Sequence, residues 1–172
     1  VSGENMSVKT VRRSTLLCIK QKIWSWLDSY NILDSNGEVL YSVNSRLAWG
    51  HYFEIRDKNG VCIATVKQKV WSFLSKFEIY YGAEFVGCVS RQWSFFRPKY
   101  DIDFMGWTVE GELDFLRWNY RICDKNGNTV AITKREYGFV DTYSVEVDKE
   151  ENALPALILA LSIDAEECSR NS

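Results

Sequence analysis

Proline is scarce in this chain, with two copies in 172 residues, and its ten glycines are spread rather than clustered. That excludes a proline-rich linker or a low-complexity tail, so no domain boundary is placed, and the length suits one hydrophobic core. Histidine occurs once, at His51. A Ser-His-Asp or Cys-His catalytic set could use no other, and no Gly-x-Ser-x-Gly elbow accompanies it, so His51 beside Trp49-Gly50 reads as a turn residue and no catalytic residue is assigned. Close-set cysteines are missing too. Cys18, Cys62, Cys88, Cys123 and Cys168 are odd in number and widely spaced. With a single histidine they hold no metal-ligand pattern and read as the reduced thiols of a cytosolic protein.

A basic excess is also lacking, since the formal net charge is −2, which argues against a generic nucleic-acid binder. Phosphate-cradling glycine runs are missing, so no cofactor is expected. The longest apolar run, Ala153 to Leu161, falls far short of the roughly 20 residues of a membrane-spanning helix. The opening, Val1 to Arg13, is polar and basic and is no signal peptide. Residues 1–13 are expected to be a flexible leading segment, trimmed or added, with Met6 a candidate native start.

What the chain does have is internal repetition. Lys20-Gln21-Lys22-Ile23-Trp24-Ser25-Trp26-Leu27 recurs as Lys67-Gln68-Lys69-Val70-Trp71-Ser72-Phe73-Leu74. Weaker copies run from Arg46 to Gly50, Arg91 to Phe95 and Arg135 to Phe139, each with a basic residue, an aromatic, then Ser or Gly. After the copies come alternating triplets such as Phe53-Glu54-Ile55, Phe77-Glu78-Ile79, Tyr120-Arg121-Ile122 and Tyr143-Ser144-Val145, the period of a strand with one buried face. Asp34-Ser35-Asn36-Gly37, Asp57-Lys58-Asn59-Gly60 and Asp124-Lys125-Asn126-Gly127 supply tight turns. Asn-Gly tolerates the positive φ angles of two-residue hairpin loops. Glycine falls fourth in these turns, not sixth, which excludes an EF-hand loop. Counting from Ser14 to Asp148 gives twelve strands in an antiparallel meander, enough to curl and close.

The C-terminal segment breaks the pattern. Asn152 to Asp164 is helical in composition, with Asn152 a candidate cap and Pro155 in the first turn. It is apolar on all sides and must be buried all round or lie in a membrane. No flat sheet could cover it, whereas a barrel interior could. The expected fold is all-β with one helix: a closed twelve-stranded antiparallel barrel over 14–165 around a central helix at 153–165, followed by a tail over 166–172. Leu154, Leu157, Ile158 and Leu161 are the expected structural core of that helix.

Three further stretches, Phe95-Phe96-Arg97-Pro98-Lys99-Tyr100, Trp107-Thr108-Val109-Glu110-Gly111 and the apolar run ending Ser162-Ile163-Asp164, join the Lys-Gln-Lys repeat in one ordered set. From about Ser14 to Asp164 the chain resembles the LURP-one-related family and its bacterial relatives. They lie within the superfamily named for the tubby C-terminal domain, which includes the phospholipid scramblases. The resemblance implies a twelve-stranded barrel threaded by a hydrophobic C-terminal helix. Within that superfamily tubby-type domains bind phosphoinositide head groups and scramblases act at membranes, while the LURP-one-like and bacterial members have no settled activity. The cysteine cluster of scramblases is missing here, and no tubby lipid-binding residue maps onto a numbered position.

Among candidate sites, the pairs Asp101 with Asp103 and Glu110 with Glu112 read as solvated strand faces, and Asp164 as a structural group near the barrel rim. The basic residues near the repeated aromatics are the functional lead. Lys67, Lys69, Arg91, Arg97 and Lys99, with Lys20, Lys22, Lys134 and Arg135 beside them, are candidate contacts for anionic lipid, the cations meeting phosphates and the aromatics sitting at head-group depth. The expected function is a non-enzymatic binding module for anionic phospholipid or phosphoinositide, cytoplasmic and peripheral at a membrane. The alternatives are a protein-interaction or scaffold domain with no lipid role and, last, a small-ligand carrier or enzyme using the barrel interior.

Overall fold

The computed structural model describes residues 15–20, 29–48, 50–70, 74–94, 99–114, 117–136 and 142–170. Twelve strands lie among them: β1 Thr15–Lys20, β2 Tyr30–Leu33, β3 Val39–Ala48, β4 Gly50–Asp57, β5 Cys62–Lys69, β6 Lys76–Tyr81, β7 Glu84–Gln92, β8 Lys99–Asp103, β9 Thr108–Asp114, β10 Arg117–Cys123, β11 Thr129–Glu136 and β12 Thr142–Val147. A single-turn 3-10 helix, Glu150–Asn152, leads into α1, Ala153–Arg170. All twelve strands form one antiparallel sheet in the order β8-β7-β6-β5-β4-β3-β2-β1-β12-β11-β10-β9. The first and last strands meet, with Thr15 opposite Val147 and Lys20 opposite Thr142. Among the described residues, β8 and β9 are consecutive strands that share no ladder. They form the seam of a nearly closed barrel.

The alternating triplets set which face is inside. Phe53 and Ile55 on β4, Phe77 and Ile79 on β6, Tyr120 and Ile122 on β10, and Val145 and Val147 on β12 are all buried. The residues between them, such as Glu54, Glu78 and Arg121, are not. The inward set packs on α1. Ala156, Leu157, Ile158, Leu159 and Ala160 are each 0% exposed. Five consecutive residues exceed the 3.6 of one helical turn, so no azimuth of the helix faces water there. Leu161 is also buried, and Leu154, near the entry, is partly buried against the same core. The one buried hydroxyl of this stretch, Ser162 Oγ, donates to the Ile158 carbonyl at 2.8 Å, which removes the cost of an unpaired polar group.

The structure corrects two expectations about this helix. It runs to Arg170, not to 165, because Ala165 to Arg170 contains neither Gly nor Pro to stop it. Residues 166–170 are therefore helix, and Glu166 within them is buried. The entry also differs from a bare Asn cap. Asn152 closes the 3-10 turn, and its side-chain amide donates to Asp148 Oδ1 at 2.7 Å.

The three Asp-x-Asn-Gly turns are alike and differ from the expected two-residue loops. In each, only the glycine has positive φ, at +83° for Gly37 and +80° for Gly60 and Gly127. The amide of each glycine donates to the carbonyl of the aspartate three residues back. The ladder slips by one residue beside each turn, at Ile32/Leu33, Ile55/Arg56 and Ile122/Cys123. These are type I turns with a glycine bulge. The reason is the aspartate: Oδ1 of Asp57 accepts from the amides of Asn59 and Val61, both at 2.9 Å. That bonding holds the asparagine on the ordinary side of φ. Gly87 has a different role. A Cβ there would overlap the carbonyl oxygen of Asp103, so glycine lets β8 lie close against β7.

Two expected outcomes follow from this architecture. Leu157→Asp places an unpaired charge inside the barrel at a cost of several kcal/mol, against a total stability of about 5–15 kcal/mol. The variant should lack a cooperative melt by circular dichroism, and melting near wild type would mean that the helix is not central. The second concerns acid. The amide of Glu38 holds Asp34 below its ordinary value, and the amide groups of Asn128 do the same for Asp124. A carboxyl lowered by folding stabilises above its unfolded value and loses that contribution as pH falls through the folded one. Urea midpoints should therefore drop below about pH 4, and Asp34→Asn/Asp124→Asn should show a shallower drop.

Candidate functional site: the basic end of the barrel

An up-and-down meander sorts its connections: those after odd strands lie at one end and those after even strands at the other. The ends Lys20, Ala48, Lys69, Gln92, Asp114 and Glu136 of β1, β3, β5, β7, β9 and β11 all lie at the first end. The described residues of each copy of the basic-aromatic repeat fall there, while the three Asp-x-Asn-Gly turns fall at the other. The connecting residues themselves, among them Lys22, Trp24, Trp71 and Arg97, lie outside the described residues.

Charge is sorted the same way. At the repeat end, strands begin or finish at Lys20, Lys69, Lys76, Lys99 and Arg117, against Asp114 and Glu136. At the turn end the corresponding charges are Asp57, Glu84 and Asp103, joined by Asp34, Glu38, Asp124, Asp148, Glu150 and Glu151 against Lys58, Lys125 and Lys149. A net charge of −2 thus conceals a basic end and an acidic end.

Lys67 and Lys69 lie within β5, not in a turn, because the strand runs on through the repeat before it breaks. Their side chains join a lattice on the outer face of β3 to β6. Arg46 Cζ sits 4.6 Å from the centre of the Tyr52 ring, and Lys67 Nζ lies 5.9 Å from that ring and 4.8 Å from the ring of Tyr80. The Tyr52 hydroxyl donates to Glu54 at 3.2 Å, and Arg46 and Arg56 bind the same carboxylate at 3.1 and 2.7 Å. The Arg56 bond chiefly holds Glu54 below the usual carboxylate range. Lys69 Nζ meets Glu78 at 3.2 Å. Lys99 and Lys134 are exposed, on β8 and β11. Lys20 and Arg135 belong to β1 and β11, their side chains outside the described residues.

Arg91 does not join this outer set. It follows Val89 on the inward face of β7, and its guanidinium meets Glu166 Oε1 at 3.1 Å, the two side chains 17% and 6% exposed. The Tyr100 hydroxyl donates to the other oxygen of Glu166 at 3.1 Å. Across the helix, the hydroxyls of Tyr120 and Tyr143 are 2.9 Å apart, and Thr133 Oγ1 donates to the Tyr120 carbonyl at 3.1 Å. Burial first, and the nearby Asp164 charge second, raise the hydroxyl of Tyr30, which therefore stays protonated. Tyr120 and Tyr143 are likewise raised, chiefly by burial. The C-terminal part of α1 thus carries a polar layer beneath the basic end. Sequence reasoning missed Glu166 by ending the helix too early, and so read Arg91 as a lipid contact and not as the partner of Glu166. The available signal was Asp164 and Glu166, two carboxylates directly following an apolar run.

His51 is not a turn residue. Only residue 49 separates β3 from β4, so His51 already sits in the ladder opposite Leu47. Its ring stacks on Phe53 at 6.2 Å, and burial lowers its pKa, which favours the neutral imidazole. Asp101 and Asp103 are exposed on β8, and Glu110 pairs with Arg121 at 2.6 Å. Among the described residues no group of three His, Cys, Asp or Glu side chains gathers to hold a metal. No described helix is long and apolar enough to cross a membrane.

Comparison with known proteins agrees with this architecture. A family model described as LURP-one-related matches residues 15–164. The chain is 26% identical over 149 residues to the uncharacterized protein YxjI of Bacillus subtilis (strain 168), covering 86% of this chain and 91% of that protein. It is also similar to a protein of Arabidopsis thaliana solved by X-ray crystallography. That likeness has a TM-score of 0.61 and 17% identity, covering 89% of this chain and 91% of the other, and it shows the common fold.

The buried pair separates Arg91 from its neighbours experimentally. Arg91→Met leaves Glu166 without its counter-charge, with the Tyr100 hydroxyl still on its other oxygen, and should cost about 3 kcal/mol or somewhat less in urea denaturation. Lys99→Met, at an exposed site, should change stability by less than about 0.5 kcal/mol. Arg91→Met/Glu166→Met should recover most of the loss, since it removes both charges together.

Proposed function

The chain belongs to the LURP-one-related family, and on that premise we propose that it is a non-enzymatic binding module for anionic phospholipid or phosphoinositide head groups. The observation that carries the proposal is the sorting of charge along the barrel axis. The barrel interior is filled by α1, whose residues from Ala156 to Ala160 have no exposure, so binding is left to the outside. At the repeat end, Lys99 and Lys134 reach solvent, and Arg46 and Lys67 are held over tyrosine rings. An anionic leaflet attracts such groups by about 1 kcal/mol per Lys or Arg near the surface. It repels the acidic turn end, so the same field that binds the domain also orients it. Arg91 contributes indirectly, by fixing α1 through Glu166.

Co-sedimentation with vesicles tests the proposal. Vesicles containing phosphoinositide should recover the protein at low salt and release it at high salt. Lys99→Glu/Lys134→Glu should weaken recovery by about tenfold or more while leaving the melting curve in place. Equal recovery with neutral and phosphoinositide-containing vesicles at low salt would reject it.

A further inference from the structure

The acidic end of the barrel carries a second feature. The large hydrophobic side chains exposed among the described residues include Val39, Val61, Phe85 and Met105, at 43%, 57%, 50% and 53% exposure. Topology places all four at the turn end. Val39 opens β3, Val61 precedes β5, Phe85 is second in β7 and Met105 lies between β8 and β9. They therefore mark four successive connections, β2–β3, β4–β5, β6–β7 and β8–β9, one apolar group in each. Neighbouring hairpins are two strand spacings apart, about 10 Å. The remaining connections at this end, Asp124 to Asn128 and Asp148 to Asn152, are polar. The row thus follows one arc of the rim.

Met105 adds to the pattern. It is the one non-glycine among the described residues with positive φ, +59°, where glycine or asparagine is the ordinary choice. Gly106 follows at +66°, and the Trp107 amide closes the turn on the Phe104 carbonyl at 3.2 Å. An exposed methionine is held at a costly backbone angle while its neighbours Phe104 and Trp107 are buried.

The surrounding charge selects the occupant. Glu38 adjoins Val39, Glu84 adjoins Phe85 and Asp103 lies two residues before Met105, against Lys58 and the Arg56 guanidinium, which donates to the Gly60 carbonyl at 2.9 Å and is itself paired with Glu54. An anionic membrane is repelled here. A polypeptide with positive charge and spaced apolar side chains is complementary to both features. We infer that this arc of the turn end is a docking surface for a basic segment of a partner protein, one that presents an apolar side chain about every 10 Å. In a polyproline II segment, with three residues per turn and a rise of about 3.1 Å, every third side chain returns to the same face about 9 Å further on. With lipid at the opposite end, the domain would bridge a membrane and a protein, but the docking surface does not depend on that role.

The probe is a fluorescent synthetic peptide of Leu-Lys-Lys repeats, with a Leu-Glu-Glu peptide as its counterpart, titrated into the full chain and followed by anisotropy. The basic peptide should bind, and the acidic one should not. Phe85→Ser/Met105→Ser and Val39→Ser/Val61→Ser preserve every charge, and each should weaken binding by about tenfold. Amide chemical shifts should move at the turn end and not at Lys99 or Lys134. Val39→Ser/Val61→Ser, which leaves the Phe85–Tyr80 ring contact beside Lys67 in place, should bind phosphoinositide vesicles as the parent does, so this inference and the lipid proposal can fail separately. Equal binding of the two peptides, undiminished binding by both serine variants, or uptake of the row by neutral phosphatidylcholine vesicles would each overturn it.

Discussion

A helix without a polar side has to be covered in every direction. A stretch such as Ala156 to Ala160 cannot lie on a flat sheet, because one face would remain in water. The sheet must therefore wrap, and the pairing of β1 with β12 is how it does so. Burying the large side chains of this helix is favourable by roughly 1.5–3 kcal/mol each, an upper bound because the unfolded chain is already partly collapsed. The unladdered seam between β8 and β9 shows that closure in hydrogen bonds is not needed at every strand. Coverage of the helix is what matters, and Phe104 and Trp107 are buried at that seam's turn.

Filling the barrel decides where function can reside. The helix from Ala156 to Ala160 occupies the interior, and the outer face and the two ends are what meets solvent. The meander makes those ends different, since each kind of connection recurs on its own side. The polar layer of Glu166, Arg91, Tyr100, Tyr120 and Tyr143 has a separate consequence. An apolar helix in an apolar barrel could slide or rotate at little cost. A buried ion pair at 3.1 Å, with a tyrosine hydroxyl on the other carboxylate oxygen, ties one azimuth and one depth to β7 and β8. Such a pair adds little net stability but penalises the wrong register heavily.

Much of this was legible from residue order. The triplets named the inward residues of β4, β6, β10 and β12, because a period of two has only one reading in a strand. The Asp-x-Asn-Gly runs located three turns, although their aspartate oxygens select a bulged loop that a dipeptide rule does not reveal. Placing His51 in a turn failed because only one residue joins β3 to β4, and loop length is not visible in a single aromatic-glycine pair. Ending the helix at 165 failed for a related reason. Acidic residues after an apolar run resemble a tail unless a buried arginine distant in the chain is known to face them.

Local patterns settled the strands, their inward faces, the turns and the need to enclose the last helix, since each depends on near neighbours along the chain. They could not settle which charges meet. Arg91 and Lys69 look alike in sequence, both beside a repeated aromatic. One ends half-buried on the inward face against Glu166, 75 residues away, and the other on the outer face beside Glu78. The difference is the parity of the strand position together with the rotation of the helix behind it. The segregation of charge to opposite ends is likewise invisible in a net value of −2. It emerges only when an up-and-down sheet brings distant connections onto a common rim.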